Sequence, residues 1–238
     1  MTTFAIWLNT FFASFDQAIL KFAYSLHESA VGGFLDVFFK EITKLGNGGI
    51  FFIVLSVILL LFKKTRKCGF AMLIAIVIGA LITNVCIKNI VGRPRPYADE
   101  TSIYYQWWLE IGHGVEHEIA SFPSGHATAS FAAMTALFIF LNKKYSWLGL
   151  VLASLIGFSR NYIFVHYPSD ILAGIIVGVC AALLAAVIIR AIFKALENSR
   201  NRGAVFVTTF NLPDLWRRKA VPVLAQPAPE EQETASKK

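Results

Sequence analysis

The chain has 238 residues, 56% of them hydrophobic and only 16% charged, and its mean hydropathy is +0.58. A soluble domain carries about 25% charged residues, so this composition excludes an ordinary water-soluble enzyme and calls for lipid as the solvent. The formal charge of +7 does not point to nucleic acid, because it is concentrated in short clusters between or beyond apolar blocks: Lys63, Lys64, Arg66 and Lys67; Lys143 and Lys144; Arg200, Arg202, Arg217, Arg218 and Lys219. Such clusters mark cytoplasmic loops.

In chain order, residues 1–44 form an N-terminal segment. Phe4 to Tyr24 is apolar enough to cross a membrane, but Asp16 and Lys21 interrupt it, and crossing or lying flat are both open. No cleavable leader is expected, since no basic stretch precedes Phe4 to Ala13 and no small-residue cleavage site follows it. From Val31 to Leu45, Phe34, Leu35, Phe38, Phe39, Ile42 and Leu45 form a helical apolar stripe, which predicts an amphipathic helix in the membrane interface.

Residues 45–198 form the main domain. Apolar blocks of near-spanning length run from about Leu45 to Phe62, Cys68 to Val91, Ser124 to Leu141, Tyr145 to Val165 and Ile171 to Phe193, each close to the ~20 residues that cross a bilayer. The expected fold is an all-α, multi-pass transmembrane helix bundle of five spans, or six if residues 4–24 cross. Gly174-x-x-x-Gly178 in the last block allows close helix packing, read as a seam within the chain. Cys68, Cys86 and Cys180 are scattered without a CxxC spacing and read as packing residues. Residues 199–238 are polar, basic then acidic, with four prolines, and read as a disordered cytoplasmic tail.

Placing Lys63 to Lys67 in the cytoplasm puts residues 92–123 outside, returns Asn142 to Lys144 to the cytoplasm, exposes His166 outside and brings Arg190 back in. Every basic cluster then falls on one side. Polar residues at membrane depth are costly and mark function, and here they collect at the opposite, outer ends of the helices. Lys88 lies near the outer end of the second block with Arg95 just beyond it, Ser124, Gly125 and His126 open the third, Arg160 lies near the outer end of the fourth, and His166 and Asp170 lie at the turn into the fifth. Three cations, two histidines and one carboxylate on one face suit a phosphate.

The spacings are specific. Lys88-x6-Arg95-Pro96, Pro123-Ser124-Gly125-His126 and Ser159-Arg160-x5-His166-x3-Asp170 occur in this order over residues 48–193, and together they resemble the signature of the type 2 phosphatidic acid phosphatase (PAP2) superfamily, which includes bacterial lipid phosphatases, glucose-6-phosphatase and vanadium haloperoxidases. The resemblance implies a phosphatase in which Lys88, Arg95 and Arg160 bind phosphoryl oxygens. Ser124 and Gly125 would offer backbone N–H groups at a helix start. His166 would be the nucleophile oriented by Asp170, and His126 the acid and base. No metal or other cofactor is implied.

The expected substrate is a lipid phosphate or diphosphate. Undecaprenyl diphosphate is favoured by an outward site in a bacterial plasma membrane, with phosphatidate or phosphatidylglycerol phosphate as alternatives; the other partners are membrane lipids, not nucleic acid. A transporter would need charges deep in several helices, and the block centres are nearly free of them. A silent binding protein would lack a motif residue, and none is missing. A vanadate-dependent oxidant enzyme would share the motifs, but membrane embedding disfavours it. Taken singly, Lys88 is compatible with snorkelling and Arg160 with a structural pair to Asp170. Tyr104, Tyr105, Trp107 and Trp108 read as an interfacial aromatic belt on the outer loop. His113, Glu116, His117 and Glu118 could suggest zinc, but Gly112 and Gly114 disfavour the helix such a site needs, and an exposed loop is the better reading.

Overall fold

The computed structural model describes residues 2–112, 120–199 and 201–214. Among them the chain is all-helical, apart from an isolated bridge between Pro94 and Ala120. The helices are α1 (Thr3–Phe11), α2 (Ala13–His27), α3 (Gly32–Lys44), α4 (Ile50–Leu60), α5 (Arg66–Ala80), α6 (Lys88–Val91), α7 (Ile103–Trp107), α8 (Gly125–Phe140), α9 (Lys143–Tyr162), α10 (Pro168–Glu197) and α11 (Arg202–Thr209). A π-helical stretch, Leu81–Ile87, joins α5 to α6 in one continuous rod.

The centre of the bundle is α8, with α5, α9 and α10 around it. Its neighbours come close because the facing residues are small: Ala71 and Ala75 on α5, Ala132 and Ala136 on α8, Ala181 and Ala185 on α10, all buried. Without a hydrophobic drive between helices in lipid, this close van der Waals contact holds the bundle together. Gly174-x-x-x-Gly178 belongs to the same seam. A Cβ on Gly178 would fall 2.7 Å from the Thr128 carbonyl oxygen and one on Gly174 2.7 Å from that of Ser124, so the pair packs α10 on α8 within the chain. The outward faces carry Val77 and Val85 on the α5 rod and Ile176, Leu184 and Val187 on α10, all exposed, as lipid contact requires.

Among the described residues, two helices are long and apolar enough to cross a membrane, Arg66–Val91 and Pro168–Glu197, or three if the pair Gly32–Lys44 and Asn47–Leu60, bent by 44°, is one span. This corrects the expectation of five spans or six. The physical reasons differ by helix. At 16 residues, α8 rises only about 24 Å. A pair of lysines opens α9, and Arg160 and Asn161 end it. The first apolar block is broken at Gly48 and Gly49, whose φ of 58° and 68° lies in the left-handed region that glycine alone enters freely. Nor does the N-terminal segment run through the bundle. Thr2 donates to the Val91 carbonyl, Asn9 and Asp16 bind Arg93, and the Tyr24 ring stacks on Trp107 at 4.5 Å. All these anchors lie at one end, so α1 and α2 lie across it.

The opposite end holds the basic residues. Lys67 pairs with Glu197 at 2.8 Å, and the Arg190 guanidinium lies 5.4 Å from the Phe140 ring, which brings together the start of α5 and the ends of α8 and α10. Arg66 donates to the carbonyls of Leu60, Val207 and Phe210. The first part of the stretch expected to be a disordered tail is therefore helical, as α11, with the buried Arg66 guanidinium capping carbonyls at its C-terminal end. Three further expectations change. Trp107 and Trp108 are buried, not an exposed belt, and stack on Tyr24 and on Tyr97 (4.6 Å) because the loop folds back over α2 and the α9–α10 turn. On α3, Phe39 packs on Phe158 and Tyr162 of α9 while Phe34 and Val37 are exposed, so this helix docks on the bundle as well as facing outward. Cys68 is buried, but Cys86 and Cys180 are exposed. The His113–His117 stretch lies outside the described residues.

Gly178→Val should cost about 1–3 kcal/mol, the usual penalty for overpacking, whereas Leu184→Val on the exposed face of α10 should change little. Unfolding midpoints in mixed detergent micelles measure both, and equal effects would show that α10 does not pack on α8 through its glycines.

Candidate functional site

The site forms where four helix ends meet. Ser124 caps α8, its hydroxyl accepting the Ala127 N–H and its carbonyl the Thr128 N–H. The Ser124 N–H donates to the Asp170 carbonyl at 3.0 Å, tying the start of α8 to the start of α10. Between α9 and α10 the chain turns within five residues, 163–167. Phe164 has φ 56°, the Val165 and His166 N–H groups donate to the Arg160 carbonyl, and the Asn161 amide donates to the His166 carbonyl. Tyr162 to Val165 are fully buried. The His166 backbone is thus fixed on both sides before any ligand arrives.

The His166 ring lies between two charges. Its Nδ1 is 3.4 Å from Asp170 Oδ2, and its Nε2 is 3.2 Å from Arg95 Nη1. A guanidinium only donates, so Nε2 is the acceptor and the proton sits on Nδ1, facing the carboxylate. The ring is neutral with its lone pair toward Arg95. Arg95 is held in turn by the carbonyls of Val165 and Ala120. On α9, Arg160 is buried and donates to Thr43 of α3 at 2.8 Å. Lys88 directly follows the π-helical stretch, a helix type that recurs at functional sites. Lys88, Arg95, Arg160, His126, His166 and Gly125 all line one cavity of about 370 Å³.

No acidic side chain is among the described lining residues. Three cations around a cavity with no carboxylate among its described lining residues attract an anion carrying several negative charges, and the low dielectric around them strengthens the attraction. The dimensions suit a phosphoryl group and the first atoms beyond it.

Residues 68–194 match the family model described as the PAP2 superfamily. The chain belongs to this superfamily. It is 34% identical over 128 residues to an undecaprenyl-diphosphatase of Sulfolobus acidocaldarius, a match covering 53% of this chain and 57% of that one. It is 28% identical to a probable diacylglycerol pyrophosphate phosphatase of Schizosaccharomyces pombe, over 78% of this chain and 73% of the other. The crystal structure of a PAP2-type phosphatidylglycerolphosphate phosphatase from Bacillus subtilis superposes with a TM-score of 0.56, covering 84% of this chain and 96% of that one at 24% identity, which places the two in one fold.

The structure brings seven of the eight expected PAP2 site residues to the cavity or directly behind it. Ser124 is the exception: its N–H is engaged by Asp170 and its hydroxyl by its own helix, leaving Gly125 on the wall. The alternative pairing of Arg160 with Asp170 is not observed; Asp170 pairs with Arg93 at 2.7 Å. Sequence reasoning missed three features. Arg93 sits in a second Arg-Pro dipeptide beside Arg95-Pro96. Asp16 reads only as an interruption of an apolar run. The loop Gly46-Asn47-Gly48-Gly49 lines the cavity, and Asn47 Oδ1 lies 2.9 Å from His126 Nε2. Gly46 lets that ring approach, since a Cβ there would fall 2.6 Å from His126 Cδ2. The one signal for the loop is its glycine density.

Orthovanadate binding to the purified protein should weaken about 10- to 100-fold in Arg160→Ala, the scale of one lost charge-assisted hydrogen bond of ~1.5–3 kcal/mol. Arg160→Lys should recover only part of it, because the two-pronged fork is lost. Calorimetric titration reads the affinities, and unchanged binding in Arg160→Ala would remove this arginine from the anion site.

Proposed function

We propose that this protein is a membrane phosphatase that removes the terminal phosphate of a lipid phosphate or diphosphate through a phosphohistidine, with no metal required. The observation that carries this reading is the placement of the His166 imidazole, with a carboxylate at Nδ1 and a cavity lined by three cations on its Nε2 side. A phosphoryl group entering the cavity draws Arg95 to its oxygens and frees the Nε2 lone pair. The Nε2–P bond forms in line as the P–O bond to the lipid breaks. That electron pair goes to the lipid oxygen, which takes a proton from His126. Asp170 stabilises the cationic ring as it develops. Water then attacks phosphorus, giving its proton to His126, and the P–N pair returns to Nε2. Lys88, Arg95 and Arg160 stabilise the charge spread over the phosphoryl oxygens, the part a metal ion plays elsewhere.

The favoured substrate is undecaprenyl diphosphate, supported by the name of the relative at 34% identity; phosphatidate and phosphatidylglycerol phosphate are the alternatives. The site lies at the end of the bundle opposite Lys67, Arg190 and Lys143. With that basic end in the cytoplasm of a bacterial plasma membrane, the cavity opens to the periplasm or cell exterior, where a diphosphate carrier is released by glycan transfer.

His166→Ala should abolish phosphate release and Asp170→Asn should reduce it by ~10⁴, the scale for losing the orienting carboxylate of a hydrolase triad. Radiolabelled lipid diphosphate and an acid-free quench should trap label on wild-type protein and none on His166→Ala. Activity should survive EDTA and exceed that on phosphatidate or phosphatidylglycerol phosphate. Near-normal turnover by His166→Ala would end the covalent scheme, and dependence on an added divalent metal would end the metal-free one.

For orientation, single cysteines replacing Asp99 and Tyr145, both exposed, are placed in a background without the three native ones. A membrane-impermeant maleimide added to intact cells should label position 99 and spare 145. The reverse pattern would turn the cavity to the cytoplasm and put newly made phosphatidate or phosphatidylglycerol phosphate ahead as substrate.

A further inference from the structure

Behind the catalytic cavity lies a second cluster, centred on Arg93, a residue that none of the three motifs names. Arg93 is 1% exposed, and its guanidinium meets four acceptors: Asn9 Oδ1 at 2.7 Å, Ser169 Oγ at 2.7 Å, Asp170 Oδ1 at 2.7 Å and Asp16 Oδ2 at 2.8 Å. The Tyr167 ring covers it at 4.0 Å. Asp16 is also buried and accepts the Ser169 N–H and hydroxyl, each at 2.8 Å. α2 thus reaches the first turn of α10 through Asp16, and Arg93 joins Asp16 of α2 and Asn9 of α1 to Asp170.

The geometry divides the two oxygens of Asp170. Oδ1 is held by Arg93, while Oδ2 takes the Tyr167 N–H at 2.9 Å and faces His166 Nδ1. With Oδ1 fixed, the carboxylate cannot rotate, and Oδ2 stays aimed at the imidazole. The charges make a second point. An arginine paired with Asp170 alone would neutralise it and blunt its attraction for a histidine becoming cationic. Asp16 supplies the missing counter-charge. Arg93, Asp16 and Asp170 together carry a surplus of one negative charge while His166 is neutral, and that surplus is matched when the phosphorylated ring becomes an imidazolium.

We infer that Arg93 and Asp16 are positioning residues for this reaction: Arg93 orients Asp170 toward His166, and Asp16 offsets Arg93 so that Asp170 keeps its charge for the imidazolium. The inference rests on the phosphohistidine reading above. It gives the N-terminal helices a part in catalysis, since Asp16 on α2 acts on His166 through Arg93 and Asp170 without touching substrate.

The test is Asp16→Asn, nearly isosteric, alongside Asp16→Glu, which keeps the charge. In full-length protein, Asp16→Asn should lower kcat about 100-fold, the cost of a displaced catalytic group. KM and vanadate affinity should be unchanged, because the cavity cations are untouched. Single-turnover labelling should show slower phosphohistidine formation, and Asp16→Glu should recover at least a tenth of wild-type kcat. Rates are taken per folded molecule, with the folded fraction measured by monodispersity and unfolding midpoint. Wild-type kcat in Asp16→Asn would overturn the inference, as would a loss that disappears on correction for the folded fraction or one that Asp16→Glu shares in full. His166→Ala is run in parallel: if it turns over normally, the phosphohistidine reading fails first, which the Asp16 variants alone could not produce.

Discussion

Arg93 lies between Asp16 and Asp170 with almost no access to water, and most of the site's geometry follows from satisfying that one guanidinium. An ion taken out of water costs several kcal/mol unless partners replace its hydration, and removing one partner of a buried pair costs about 3–5 kcal/mol. The positions of all three groups are therefore tightly constrained. Asp170 in turn fixes two helix starts, through its carboxylate on the Tyr167 N–H and its carbonyl on the Ser124 N–H. Helices α2, α8 and α10 and the Arg93 segment meet in one arrangement because a misplaced member would leave a charge unpaired.

The bundle makes this cluster affordable by keeping charge out of its middle. Alanine and glycine let α5, α8 and α10 approach closely along their length, and such packing needs no polar adhesive. Charged side chains are then confined to the two ends. At one end lysines and arginines meet carbonyls, Glu197 and aromatic rings; at the other, cations converge on a cavity. The same partition that suits the bundle to lipid places the cationic cavity at one end of it.

The three spaced motifs were legible because each marks the end or start of a helix, and spacing along a helix maps directly onto position in space. Lys88, Arg95, His126, Arg160, His166 and Asp170 all emerged that way. Arg93 did not, since Gly92-Arg93-Pro94-Arg95-Pro96 contains two equivalent dipeptides, and which guanidinium faces the cavity depends on the backbone turn after Gly92, whose φ is 58°. Asp16 was visible only as a flaw in an apolar run; its meaning lies 77 residues away. Span number was overread because apolar length does not reveal where a helix breaks or leans. Gly48 and Gly49 break one block, and α1 and α2 turn aside to reach Arg93. Trp107 and Trp108 were misplaced for a related reason: composition marks an aromatic as suited to an interface, and only tertiary structure tells whether another ring already covers it.

The distribution of carboxylates carries the chemical logic furthest. A base near a phosphoryl site faces a conflict, because the negative charge that activates a histidine also repels an incoming phosphate. Here the imidazole itself is the partition. Asp170 and Asp16 lie on its Nδ1 side, screened by Arg93, while the Nε2 side opens to Lys88, Arg95 and Arg160 with no described acidic neighbour on the wall. Two charges separated by the width of a ring in a low-dielectric site interact strongly, so moving Asp170 into the cavity would weaken anion binding even as it kept the histidine oriented. Arg93 prevents that movement by holding Oδ1 from behind. The constraint also explains why the cluster needs a second carboxylate from outside the main bundle. An arginine strong enough to restrain Asp170 would by itself cancel it, and only a further anion, brought by α2, lets restraint and charge coexist.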